Sequence, residues 1–145
     1  MTQSTKMTLV PAGYLDAVWS DILPFVHRAV AKSDGRFTAT SVYDDAKRHH
    51  HTVWIVLIGD AIVLTLTTRI VQYPCKRALV IDWVGGGDLH EVIPTVITTL
   101  KEHAVNNFCD HVEATGRRGW STVLASHGWA VGDVTYKMEV SNAGR

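Results

Sequence analysis

Ala78-Leu-Val-Ile-Asp-Trp-Val-Gly-Gly-Gly-Asp-Leu-His-Glu91 is an apolar strand that runs into three glycines, with helical periodicity starting directly after them. Gly85, Gly86 and Gly87 lack a Cβ, so the backbone there can turn sharply and come close to a ligand. Asp88 is a good helix N-cap, and Glu91 three residues on completes a capping-box-like pair. The free N–H groups of the new helix would face back onto the loop, where an anion such as a pyrophosphate can sit. The same glycines also suit a plain strand-to-helix turn. A capping Asp88 would compete with a phosphate for the same N–H groups.

Working outward from this stretch, the pattern predicts a short strand at Met7–Val10. A helix then runs from Tyr14, with Leu15, Val18, Trp19, Ile22, Val26 and Ala29 on one face. Pro24 should kink or split it, and Ser33-Asp-Gly35 ends it. Ser41–Arg48 reads as a short polar helix. Thr52–Ile58 and Ala61–Val71 form a hairpin around Gly59-Asp60, since both are rich in β-branched residues. Tyr73-Pro74 breaks the second strand, and Lys76–Val84 is a central one.

Asp88–Asn107 is then a helix with Leu89, Ile93, Val96, Ile97, Leu100, Ala104 and Phe108 inward. His111–Thr115 is a strand, Arg117–His127 a helix closed by Gly128, and Trp129–Val140 a last strand or hairpin. The order β-α-α-β-β-β-α-β-α-β predicts one α/β domain over residues 1–145, with a mixed, mostly antiparallel sheet and helices on both faces.

Composition narrows the function classes. The chain has 145 residues, with 14 basic and 14 acidic side chains, 46% hydrophobic and 19% charged residues. The balanced charge argues against general nucleic-acid or membrane-surface binding, both of which favour a basic excess. The apolar runs are strand-length, too short to span a bilayer. The opening Met-Thr-Gln-Ser-Thr-Lys has no apolar core of a secretory signal. Cys75 and Cys109 lie far apart without CxxC spacing, which suits reduced thiols.

The element order, with its glycine turn after the central strand, resembles the GNAT superfamily of acyl-CoA N-acyltransferases. That resemblance implies a three-layer α/β/α fold. The strand before the turn and the next strand would splay apart to hold pantetheine, and the pyrophosphate would cap the following helix. Trp83, Val84, Gly85, Gly86, Gly87, Asp88 and Leu89 would form the cofactor loop, with acetyl-CoA as cofactor if the protein is active and none otherwise.

A narrower resemblance is to small GNAT-like proteins of tailed bacteriophages. It rests on Trp54, Tyr73-Pro74, Gly86-Gly87-Asp88-Leu89, Gly116-Arg-Arg-Gly-Trp120, Val123-Leu124 and Gly128-Trp129, roughly half the chain.

Two features depart from active members. These usually carry Gln or Arg at the start of the glycine loop, where this chain has Asp82-Trp-Val before Gly85. Many also place a proton-donating tyrosine shortly before a Gly-Phe pair, and Leu124 stands at that position, with no proton to give. Tyr136 or His127 would have to substitute.

Asp82, on a central strand, needs a partner; it is either a base for an amine or one half of a buried pair. Tyr136 and Asp82 are therefore the catalytic candidates. Arg117 and Arg118 open a helix where cations are locally unfavourable, which suggests a partner's carboxylate or a phosphate. His49-His50-His51 are neighbours that cannot easily share one metal ion, so no metal site is expected.

The eroded motifs lead to the expectation of a non-catalytic structural or partner-binding component of a virion, binding other phage structural proteins or itself. The alternatives are an N-acetyltransferase acting on an amine and a phage protein that binds a host factor. The location would be the virion if phage-encoded, and otherwise the host cytoplasm.

Overall fold

The computed structural model describes residues 4–86, 90–116 and 120–140, with the backbone alone for Trp120 and Ser121. The chain forms two units, Met1–Thr115 and Gly116–Arg145.

The first unit is a five-stranded sheet in the order β1-β2-β3-β4-β5. The strands are β1 (Thr5–Val10), β2 (Thr52–Ile58), β3 (Ala61–Gln72), β4 (Arg77–Gly86) and β5 (His111–Ala114). The first three pairings are antiparallel and β4–β5 is parallel, so the expected mixed sheet is present. β2 and β3 meet at Gly59-Asp60, where Gly59 adopts φ 60°, a conformation glycine reaches without steric cost.

A short 3-10 turn, Ala12–Tyr14, leads into α1 (Leu15–Val30). Of the kink or break that the sequence predicts at Pro24, the break does not occur, since α1 runs through it as one helix. It buries Leu15, Ile22, Val26 and Ala29, and each of the larger aliphatic side chains among them contributes roughly 2 kcal/mol. This apolar stripe holds the turns together although proline gives up one helical hydrogen bond. Ser33, Asp34 and Gly35 follow, the last two with φ of 58° and 78°.

Helix α2 (Ala39–Lys47) starts at Thr38, which accepts from the Ser41 N–H while the Ser41 hydroxyl accepts from the Thr38 N–H. This reciprocal cap explains how so polar a segment is helical. Val10, Leu15, Ile22, Val26, Val42, Val53, Ile55 and Trp83 share one buried cluster, which places α1 and α2 on one face of the sheet.

Helix α3 (Ile93–Asn106) buries Ile93, Leu100 and Ala104. His103 meets Trp54 edge-on at 4.9 Å. Trp54 alternates with Val53 and Ile55, so α3 covers the opposite face. Phe108, expected on the inner face of this helix, lies beyond its end at φ 59° and is exposed.

In the second unit, α4 is described over Trp120–Ala125 and ends two residues before the predicted His127, while residues 117–119 lie outside the described residues. Trp129–Val140, predicted as a closing strand, forms none: Val131, Val134, Tyr136, Met138 and Val140 are all exposed. The alternation that suggests a strand is real, but β structure needs a paired ladder as well as a pattern.

Candidate functional site

The site is built on β4. Along its β3 side the strand is paired from Arg77 to Gly86. On its β5 side the ladder covers Ala78↔His111, Leu79↔Val112, Val80↔Glu113 and Ile81↔Ala114. Among the described residues, Asp82–Gly86 has no strand on that side. The open edge starts at an irregularity of register. Thr67 pairs Trp83 and Thr68 pairs Ile81, leaving Asp82 as an extra residue. Such a bulge bends the strand and increases its twist, and it falls next to the last described β4–β5 pair.

The glycines are placed differently from expectation. Gly85 and Gly86 belong to β4, paired with Thr65 and Leu64, so the strand runs on where a turn was predicted. A Cβ on Gly85 would run into the carbonyl of Phe25 and come within 3.2 Å of the Ala29 Cβ. Gly85 therefore lets the α1 backbone lie directly on the sheet. A Cβ on Gly86 would come within 2.8 Å of the Val63 carbonyl oxygen.

Gly87, Asp88 and Leu89 lie outside the described residues. Helix α3 begins at Ile93, five positions later than the sequence pattern suggests; Val92 takes the N-cap position without a side-chain cap, and the first turn carries no acid. His90–Val92 form a turn, so Glu91 precedes the helix and is no part of a capping box there. Pro94 is what shifts the start, because it fits the opening positions and not an interior one. The helix thus offers main-chain N–H groups without a capping carboxylate of its own in the first turn.

Trp83 is buried in the α1/α2 cluster, its Nε1 without a hydrogen-bond partner, and Val84 is half-buried. The Asp82 side chain is 7% exposed and does find partners. Arg69 Nε donates to both its oxygens at 3.0 Å, and His51 Nε2 lies 3.4 Å from Oδ2. Asp82 thus has two partners, the buried His51 and the half-exposed Arg69. His51 was missed by the sequence reading, which treated the histidine run as loop. Its side chain is 9% exposed, with Nδ1 4.0 Å from Asp45. No metal-binding cluster occurs among the described residues.

The register aligns Arg69 with Val80, and Val80 with Glu113. Arg69 and Glu113 thus stand in one cross-strand row on the α1/α2 face, with Asp82 reached by Arg69. Glu113 accepts from Tyr73 Oη at 3.2 and 3.3 Å and lies 2.8 Å from His111 Nε2. Partial burial and then the Glu113 charge push the Tyr73 phenol above its ordinary value. The sequence gives little sign of Glu113, Tyr73 and His111 as a group, since only the parallel β4–β5 register brings them together.

Tyr136 lies in the second unit and is 90% exposed. Leu124 is on α4. Arg117 and Arg118 lie outside the described residues. No helix among the described residues is long and apolar enough to cross a membrane.

Comparison with solved structures matches this architecture almost end to end. An aminoglycoside acetyltransferase from an uncultured soil metagenomic sample superposes with a TM-score of 0.70 at 13% identity, covering 95% of this chain and 99% of that one. Glucosamine-6-phosphate N-acetyltransferase from Arabidopsis thaliana gives 0.65 at 12% identity, with 96% and 100% covered. An aminoglycoside N-acetyltransferase in complex with CoA gives 0.65 at 8% identity, with 96% and 97% covered. The fold is GNAT-like. No family model matches the sequence, and no curated protein matches it. Likeness at such identities establishes the GNAT-like architecture and leaves the chemistry to the site itself.

Proposed function

We propose that this protein is an acetyl-CoA-dependent N-acetyltransferase. The observation that carries this reading is that the described β4–β5 ladder ends at Ile81↔Ala114 beside the Asp82 bulge, with α3 starting at a Val92 N-cap that has no side-chain cap. A pantetheine arm is a chain of amides, and it can continue the ladder that β5 abandons after Ala114. Its pyrophosphate would take the α3 N-terminus. A backbone N–H turned by the bulge would polarise the thioester carbonyl and stabilise the oxyanion that forms on amine attack. Cofactor-loop roles for Trp83–Leu89 remain part of this proposal, although Trp83 and Gly85 are committed to packing against α1.

The solved structures favour this reading over a non-catalytic virion component, because their proteins are acetyltransferases, one of them holding CoA. Leu124 weighs against a tyrosine donor at that place, and the departing thiolate would take its proton from the attacking nitrogen instead. Calorimetry with acetyl-CoA tests the reading. Saturable one-to-one binding is expected, and no heat at millimolar ligand would remove it.

A further inference from the structure

We propose that the cavity where β1, α1 and α2 meet binds a neutral single-ring compound of the phenol class, with the ring against apolar walls and the hydroxyl on His51. This site stands apart from the acetyl-transfer reading, because the cavity lies at the β1 end of the sheet and the β4–β5 ladder at the other. The cavity has a volume of about 210 Å³. It forms where β1 gives way at Pro11 to the 3-10 turn and where α2 ends shortly before β2. Two small residues in its walls, Ala12 and Ala46, leave room that larger ones would fill. Leu9, Val10, Leu15 and Val53 make the walls apolar. A cavity of about 150 Å³ with such walls takes up benzene, so this one has space for one ring and a small substituent.

His51 supplies the polar group. It lines the cavity, and its side chain is 9% exposed. Its Nδ1 is buried with no hydrogen-bond partner among the described residues, since the Asp45 carboxylate stands 4.0 Å away. A buried polar atom left unpaired costs stability, so a group that reaches it through the cavity gains by pairing it. A hydroxyl both donates and accepts, so it serves Nδ1 whichever ring nitrogen holds the proton. Charge decides against an ion. Carboxylates lie near both ring nitrogens, Asp45 at 4.0 Å and Asp82 at 3.4 Å, and would repel an anion. Lys47 reaches the Ala12 carbonyl but is already paired with Asp16 at 2.7 Å. A cation would shed its hydration against the aliphatic walls, and Asp45 already has His50 at 3.7 Å.

The test follows the ring resonances of His51 by NMR in the full chain at about pH 7, where phenol is neutral. The titrants are phenol, toluene, which lacks the hydroxyl, and benzoate, which carries a charge. Phenol is expected to saturate with a Kd of roughly 1 mM, toluene to bind at least about threefold more weakly, and benzoate not to saturate. Ala46→Leu fills the cavity from α2 and should weaken phenol binding at least about tenfold while the melting temperature holds or rises. Ala12→Leu fills it from the half-buried turn and should weaken phenol binding likewise, which keeps the test decisive if the first variant does not fold. Toluene or benzoate binding as tightly as phenol would overturn the proposal. So would a phenol affinity unchanged in the folded variants, or no saturation by about 20 mM, the result expected of a cavity that holds only water.

Discussion

The two halves of β4 share one strand and one neighbour, yet they do different things. From Ala78 to Ile81 the strand has β3 on one side and β5 on the other, and all four residues are buried. From Asp82 to Gly86 only β3 pairs it among the described residues, and burial alternates. The first half is core. The second half carries main-chain groups that no described strand pairs on the β5 side. One extra residue, Asp82, separates them. The comparison teaches that the feature on which the proposed site rests is the stopping of a ladder, more than a motif.

The strongest way to break the comparison is to disturb the support under the open half. Gly85→Ala puts a methyl group into the Phe25 carbonyl. Neither backbone can yield easily, so a loss of about 3 kcal/mol is expected, with a fall in melting temperature of roughly 10 °C. Thermal denaturation checks this. A variant that melts like the parent would show that α1 does not rest on β4 as described.

The next effect falls on the bulge itself. Asp82→Asn leaves Arg69 and the buried His51 facing an amide in place of a charge. A loss of about 2 kcal/mol is expected, below the cost of breaking a fully buried pair because Arg69 is half-exposed. Denaturant unfolding measures it. Adding Arg69→Met to the Asp82→Asn variant should cost little more, since the partner is already lost.

The third effect concerns the far end of the open half. Thr95→Asp puts an acid in the first turn of α3. That is favourable to the helix and unfavourable to a phosphate at the same place. Stability should hold or rise slightly while acetyl-CoA affinity falls by about tenfold, or ~1.4 kcal/mol. Opposite signs in calorimetry and melting would sharpen the assignment of this end as the phosphate end. Unchanged affinity would move the pyrophosphate elsewhere.

Much of the closed half was legible in the sequence. Val, Ile and Leu runs at strand length, the Gly59-Asp60 turn and the periodicity of α1 are local signals, and each led to the observed element. The open half was legible only in part. Three consecutive glycines look like a turn, yet Gly85 and Gly86 are needed flat in the sheet because α1 and Val63 come so close. Only the fold shows that proximity. Asp88 looks like an N-cap, but Pro94 decides where the helix begins. His51 comes from the residue before β2, Arg69 from β3 and Asp82 from β4, and their meeting depends on a bulge that no spacing announces. Trp129–Val140 shows the reverse: a strand pattern without a ladder.

The smallest effect tests how β5 is held to the closed half. Tyr73 reaches from the end of β3 to Glu113 on β5, and its phenol is raised above the ordinary value by partial burial and by that carboxylate. The folded protein therefore favours the neutral phenol. Its contribution is complete below about pH 10, where the unfolded chain also keeps the proton. It is lost as the pH rises through the folded value, because the unfolded chain ionises first. Tyr43 and Lys47 are shifted in the same direction by Asp16, so absolute slopes mix the three residues. The difference between the parent and Tyr73→Phe isolates Tyr73. Denaturant unfolding at about pH 8 and about pH 11 should show the parent losing more stability than the variant over that interval. Equal losses would mean that the phenol does not hold β5, and that the closed half is kept together by its four-residue ladder and the bonds between Arg77 and Asp110 at its start.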